Sequence, residues 1–246
     1  MKRHAQILLL VLSGLGLLHA SLFTDLCLRY VKEGMRPILI ASGVLLLLLG
    51  LADAMLHPRQ DGGDEHEGRD GHGHDHSTAP RVSWLLFLPA LSLLFYAPPA
   101  LGAYTASREA PKAVVEQEHF DPLPTTSPVL LTLTEFTSRV QQDREQAIKG
   151  RSVQMTGFVT PDKEGDGWYL TRIMFNCCAA DAQSVKVRVY GPPALSADTW
   201  VTITGAWHPG GTLGTSSAPA ALDARTVKKV DRPVNGYTDA LPLIPS

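Results

Sequence analysis

Two adjacent thiols, Cys177 and Cys178, stand next to a carboxylate, Asp181, in the stretch FNCCAADA. Soft sulfur and hard oxygen donors in one turn between strands are able to hold a metal ion. Neighbouring residues in a strand point to opposite faces, so both sulfurs reach one ion only where the chain bends. A vicinal disulfide and a pair of inert buried thiols are the other readings of the same residues. His119 and His208 could add a ligand from elsewhere, although a lone histidine is more often structural.

A second concentration of ligand types lies far from the first. The run HPRQDGGDEHEGRDGHGHDHSTAPR holds five of the nine histidines, among them His66, His72, His74 and His76, interleaved with carboxylates that include Asp75. Neutral imidazoles and carboxylates suit Zn²⁺, Ni²⁺ and Cu²⁺, and the glycines let the chain wrap round an ion. The spacing defines no rigid geometry, so weak, exchangeable binding is the expectation, and an acidic low-complexity linker is the alternative.

The elements that must position these residues fall into two halves. Of the 246 residues, 44% are hydrophobic, with 22 Lys+Arg against 24 Asp+Glu. That near-balance excludes a strongly basic nucleic-acid binder, and three cysteines cannot build a disulfide framework. Nearly all the long apolar runs precede Ser107. HAQILLLVLSGLGLLHASLFT carries no fixed charge over a length that crosses a hydrocarbon core of about 30 Å. It reads as an uncleaved anchor, because cleavage after Ala20 would put Leu18 where a small residue is preferred. PILIASGVLLLLLGLA supplies a second span, extended by Ala54, Met55 and Leu56. VSWLLFLPALSLLFYAPPALGAYTAS supplies a third, with Trp84, Tyr96 and Tyr104 near its ends and Pro98 and Pro99 ending its helix early. Three spans put the termini on opposite faces. The Lys/Arg count does not orient them, and the Pro/Thr/Ser-rich stretch after the third span favours an N-terminus inside with the C-terminal domain extracytoplasmic.

The expected layout is 1–56 for the first two transmembrane helices, 57–81 for the histidine loop, 82–107 for the third helix, 108–128 for a linker and 129–246 for a β domain. In that domain Thr134 is placed to cap a helix over LTEFTSRVQQDREQAI. Strands follow at Ser152 to Thr160, Gly167 to Phe175, Ser184 to Tyr190 and Thr199 to Trp207, with a fifth around LDARTVKKV. Val185, Val187 and Val189 face inward together. VQMTGFV and VTITGAW echo one another, each with a mid-strand glycine suited to a bend or bulge. The fold class is therefore a membrane α-helical N-terminal part plus a C-terminal, mainly-β, OB-like barrel with one preceding helix. From Val129 onward twelve Lys/Arg face eleven Asp/Glu, too even for a groove that tracks phosphates, so nucleic acid is not an expected partner.

Three spans, a His/Asp-rich loop between the second and third, and a β domain carrying KGRSVQMTGFV, TRIMFNCCAADA and VTITGAW resemble the YcgQ-like family of bacterial permease subunits over essentially the full length. In that family the turn reads His-Cys-x-Ala-Asp, so Cys177 stands where a histidine stands there. A His/Cys exchange is one that a metal ligand tolerates, and the resemblance implies Cys177, Cys178 and Asp181 as ligands. It also implies a separate multi-span permease as partner, in a system handling metal ions, with zinc the favoured ion. Asp25 and Asp53 lie at span ends, and no charged pathway runs inside the spans, so the chain is not a pore by itself.

The resulting expectation is a multi-pass accessory subunit in the cell membrane, whose histidine loop gathers a divalent cation and whose OB-like domain docks onto or gates a permease. No nucleotide loop, nucleophile elbow or HExxH helix is present, so no enzymatic activity and no organic cofactor are expected. A membrane-anchored thiol redox protein using Cys177 and Cys178, and a metal-free assembly module, are the alternatives.

Overall fold

The computed structural model describes residues 2–56, 99–110, 114–162, 167–234 and 236–241. The histidine loop, with His66, His72, His74, Asp75 and His76, and most of the third apolar run lie outside the described residues. The chain divides into two compact units, one built from Met1–Thr24 and Pro37–Ala100, the other from Asp25–Arg36 and Leu101–Ser246.

The first unit contains two helices, α1 (Lys2–Leu18) and α2 (Arg36–Leu56), with a wider π-helical turn at His19–Phe23 continuing α1. Both are long and apolar enough to cross a membrane, over Gln6–Phe23 and Glu33–Leu56. Their leucines do not fill a protein core: Leu8, Leu12 and Leu15 on one helix and Leu45, Leu48 and Leu51 on the other stand exposed. A stripe of exposed leucine is stable in lipid and costly in water. The helices meet where side chains are smallest. A Cβ on Gly14 would press on the Gly43 carbonyl, one on Gly43 on Leu18, and one on Gly50 on Val11. Small residues at a helix contact let backbones approach and gain dispersion contacts that lipid cannot supply.

The second unit is a mixed β domain with a helix before its main strands. Its strands are β1 (Val129–Leu130), β2 (Val153–Pro161), β3 (Trp168–Met174), β4 (Gln183–Tyr190), β5 (Trp200–Trp207) and β6 (Ala221–Lys229). The four expected strands and the fifth near LDARTVKKV thus form within a residue or two of their sequence-derived bounds. The two-residue β1, too short to show alternation, adds parallel to β2. The order is β1-β2-β3-β4-β6-β5, and β2 pairs with β5 as well, so five strands pair in a closed cycle. Within it β4 and β6 run parallel and the other pairs antiparallel. Val185, Val187 and Val189 enter the core as the alternation demands, beside Val201, Ile203 and Leu170. Gly157 lies where a Cβ would collide with the Thr171 carbonyl, and Gly205 sits at a register shift between β5 and β6.

Two short helices complete the unit. α3 (Ala103–Ala106) lies against β2 and β3 with Ala103 and Ala106 buried, and Asp198 caps it by accepting from Ala103 N at 2.6 Å. α4 (Leu133–Gln142) buries Leu133, Phe136 and Val140 against the strands of the β domain. Its cap differs from the expected one: Thr132, not Thr134, accepts from Glu135 N at 3.0 Å. The Thr134 hydroxyl instead donates to Asp239 at 2.6 Å, a partner far away in the chain. α4 also stops at Gln142, short of Ile148, because Asp143 turns extended and takes the amides of Glu145 and Ala147 on its carboxylate.

Candidate functional site

The FNCCAADA turn leaves the end of β3 from a firm anchor. Phe175 is buried and stacks on Tyr237 with ring centroids 4.2 Å apart, while its amide donates to the Tyr237 carbonyl at 3.2 Å. Tyr237 in turn donates its hydroxyl to the Leu101 carbonyl at 2.9 Å. Two residues past Phe175 the chain bends round one carboxylate. Asp181 accepts from the backbone amides of Asn176 (3.0 Å), Cys177 (2.8 Å) and Cys178 (3.3 Å). Cys178 caps the short 3₁₀ turn Ala179–Asp181 that brings this carboxylate back.

The bend decides what the two thiols can do. Off the strand and wrapped round Asp181, their sulfurs lie 3.7 Å apart on the same side, with Cys177 exposed and Cys178 half-buried. The structure therefore brings Cys177, Cys178 and Asp181 together in one turn. Electrostatics favour protonated sulfur: hydrogen bonding of the Cys177 thiol to Asp181, with a second hydrogen bond to Cys178, pushes the Cys177 pKa up to about 11. The same thiol and the Cys177 amide hold the Asp181 carboxyl below its ordinary range. Asp181 thus acts as the brace of the turn, its oxygens committed to three amides and a thiol.

Among the described residues, no group of three or more His, Cys, Asp or Glu side chains is placed to hold a metal ion. His208 is committed elsewhere: its Nδ1 lies 2.7 Å from the Asp223 carboxylate and its ring stacks on Tyr190 at 4.0 Å. His119 is exposed.

The turn has a partner that carries no sequence signal. The segment Asp25–Arg36, which joins α1 to α2, folds with the β domain as part of the same unit. Lys32 N donates to the Cys177 carbonyl at 3.0 Å, Ala179 N donates to the Tyr30 carbonyl at 2.6 Å, and Val31 bridges antiparallel to Cys178. The segment is itself ordered by Tyr30 N and Val31 N on the Cys27 carbonyl, by burial of Cys27 and by an Arg36–Asp25 ion pair at 3.6 Å. Backbone pairing of this kind uses main-chain groups that every residue possesses, so composition and periodicity are silent about it.

A second polar cluster escaped the sequence reading. Arg172 is buried, donates to the Thr238 carbonyl, and lies 3.9 Å from Asp239 and 5.0 Å over the Trp200 ring. Burial lowers its pKa to about 10, against the opposing pull of Asp239. Asp239 also accepts from the first amides of α4, Leu133 N at 3.3 Å and Thr134 N at 2.7 Å. One carboxylate therefore ties the C-terminal segment to β3 and to the helix.

The architecture defines a class: a mixed β domain, with a helix before its main strands, in a chain that also carries two helices fit to cross a membrane. Residues 113–238 match the family described as the DUF1980 C-terminal domain, and the chain belongs to that family. No curated protein and no solved structure matches the chain.

Proposed function

We propose that the chain is an integral membrane accessory subunit of a permease system, of the YcgQ-like kind, whose β domain grips the connection between its first two spans. The observation that carries this reading is the pairing of Tyr30–Lys32 with Cys177–Ala179. If α1 and α2 both cross the bilayer, the segment between them emerges on the face opposite Leu56. The β domain is one unit with that segment, so the chain has to cross once more between Leu56 and Leu101. The apolar run within 82–107 is the sequence available for that crossing. The hydrogen bond from Tyr237 to the Leu101 carbonyl supports the same arrangement, since it ties the domain to the start of the segment that follows the crossing. With the N-terminus inside, the domain is extracytoplasmic and the histidine loop faces the other way. The closed pairing cycle with β4 parallel to β6 supports the OB-like barrel.

In this reading the partner is a multi-span permease, which the domain docks onto or gates, and the cargo is a divalent metal, with zinc favoured. His66, His72, His74, His76 and Asp75 collect the cation on one face, and Cys177 and Cys178 meet it on the other. The chain is assigned no catalysis and no nucleic-acid partner.

The test is topology in intact cells. Glu33→Cys and Ser196→Cys, in a background with the native cysteines changed to serine, are expected to react with a membrane-impermeant maleimide from one and the same face. Ser77→Cys is expected to react only from the other. Labelling of Glu33→Cys and Ser196→Cys from opposite faces, or recovery of the chain in the aqueous fraction, would overturn the reading.

A further inference from the structure

We propose that Cys177 and Cys178 alone form a two-sulfur chelate for one thiophilic metal ion, built so that filling it bears directly on the segment joining α1 to α2. The proposal rests on the membrane-subunit reading above and deepens it by naming the ligand set and what responds to it.

The separation of the sulfurs is the first support. Two thiolates on one tetrahedral ion, with metal–sulfur bonds of about 2.3 Å, stand about 3.8 Å apart. The 3.7 Å between the Cys177 and Cys178 sulfurs is that distance, and far from the roughly 2.05 Å of a disulfide. The second support is that the backbone around the pair is held from both sides. Asp181 fixes the amides of Asn176, Cys177 and Cys178, while Tyr30 and Lys32 fix Ala179 N and the Cys177 carbonyl. A chelate on a braced turn loses little chain freedom when an ion arrives.

The ligand set excludes Asp181. Taking either oxygen for a metal would strip amides of their acceptor and release the bend that aligns the sulfurs. Forming two metal–sulfur bonds releases the two thiol protons to solvent, with the Asp181 carboxylate the acceptor nearest the Cys177 thiol. Sulfur donors select soft and borderline ions over hard ones such as Mg²⁺ or Ca²⁺. The remaining coordination positions face solvent at exposed Cys177, which leaves room for exchange with another carrier.

The coupling follows from adjacency. Cys177 and Cys178 are the same residues whose main chain pairs with Lys32 and Val31, so a change in their side-chain geometry acts one bond away from the connection between two spans.

The experiment uses the full chain in detergent and Cd²⁺ as probe, read by sulfur-to-cadmium charge-transfer absorption, to which the histidine loop is blind. One ion per chain is expected, with binding weakened at least tenfold in Cys177→Ser and in Cys178→Ser, and retained in Cys27→Ser. Hydrogen exchange at the Lys32 and Ala179 amides is expected to change severalfold on adding Cd²⁺ to the wild type and not in Cys178→Ser. The same amides in the ion-free variants show whether the turn has survived substitution. A signal that persists without Cys177 and Cys178, or that leaves Lys32 exchange unchanged, overturns the proposal. Such a failure alongside Glu33 and Ser196 labels on one face would leave the membrane topology standing.

Discussion

The backbone amide of Lys32 donates to the carbonyl of Cys177 at 3.0 Å, joining the segment between two apolar helices to the dithiol turn of the β domain. This bond and its neighbour, Ala179 N to the Tyr30 carbonyl, make the loop part of the β domain although each of its ends enters a helix of the other unit.

Lys32→Pro removes the donor of that bond and is expected to loosen the loop without unfolding the β domain. The loss of one partly exposed hydrogen bond is worth about 1 kcal/mol. Limited proteolysis should show faster cleavage after Arg29, while the strands of the β domain keep their hydrogen-exchange protection. Unchanged cleavage would mean that the pairing contributes nothing to docking.

The raised Cys177 pKa sets a pH dependence with a definite sign. The fold favours the protonated thiol, so the stabilisation is fully present below the ordinary thiol value of 9.0 and disappears as pH rises towards about 11. Asp181 runs the other way: its carboxyl is lowered, so its contribution is present above 3.8 and is lost as pH falls through the folded value. Iodoacetamide should therefore alkylate Cys177 slowly at neutral pH and faster through pH 9 to 11. Asp181→Asn should speed the neutral-pH reaction about tenfold or more, because the acceptor that holds the proton has gone. Peptide mass analysis of Cys177 against Cys178 reads the result.

Asp239 holds α4, the C-terminal segment and Arg172 at once. Asp239→Ala leaves a buried guanidinium without its counter-charge and two helix amides without an acceptor, and is expected to cost about 3 kcal/mol or more. Asp239→Asn, which keeps the shape but not the charge, should cost less. Thermal unfolding of the detergent-solubilised chain distinguishes them, and equal midpoints for wild type and Asp239→Ala would rule the clamp out.

The helix pair depends on the absence of side chains at Gly14 and Gly43. A Cβ at Gly14 meets the Gly43 carbonyl at 2.8 Å, which is backbone and cannot swing aside. Gly14→Leu and Gly43→Leu should each separate α1 from α2, whereas Gly16→Leu, with nothing within 4 Å, should not. Thermal unfolding of the detergent-solubilised chain should show lower midpoints for Gly14→Leu and Gly43→Leu and an unchanged one for Gly16→Leu.

Local pattern made much of the fold legible in advance. Alternation located the five longer strands and put Val185, Val187 and Val189 in the core, because a half-buried strand repeats every two residues whatever surrounds it. Apolar length marked α1 and α2 for the same kind of reason. Local pattern favours Thr134 as the α4 cap, but the choice between two threonines two positions apart depends on Asp239, which takes the Thr134 hydroxyl from the far end of the domain and leaves Thr132 as the cap. Of the candidate site, residue types alone pointed to Cys177, Cys178 and Asp181, but left the sulfurs free to face opposite ways.

By itself, then, the sequence determined which segments are apolar enough for lipid, which alternate as strands, and which side chains carry ligand chemistry, since these depend on residue type and near neighbours. Only the tertiary structure decided that one carboxylate gathers three amides to put both sulfurs on one side, and that Tyr30–Lys32 dock against them. The docking rests on backbone hydrogen bonds between distant segments, whose peptide groups are alike whatever non-proline residue carries them, and the gathering rests on how the Asp181 oxygens are shared out, which its residue type leaves open.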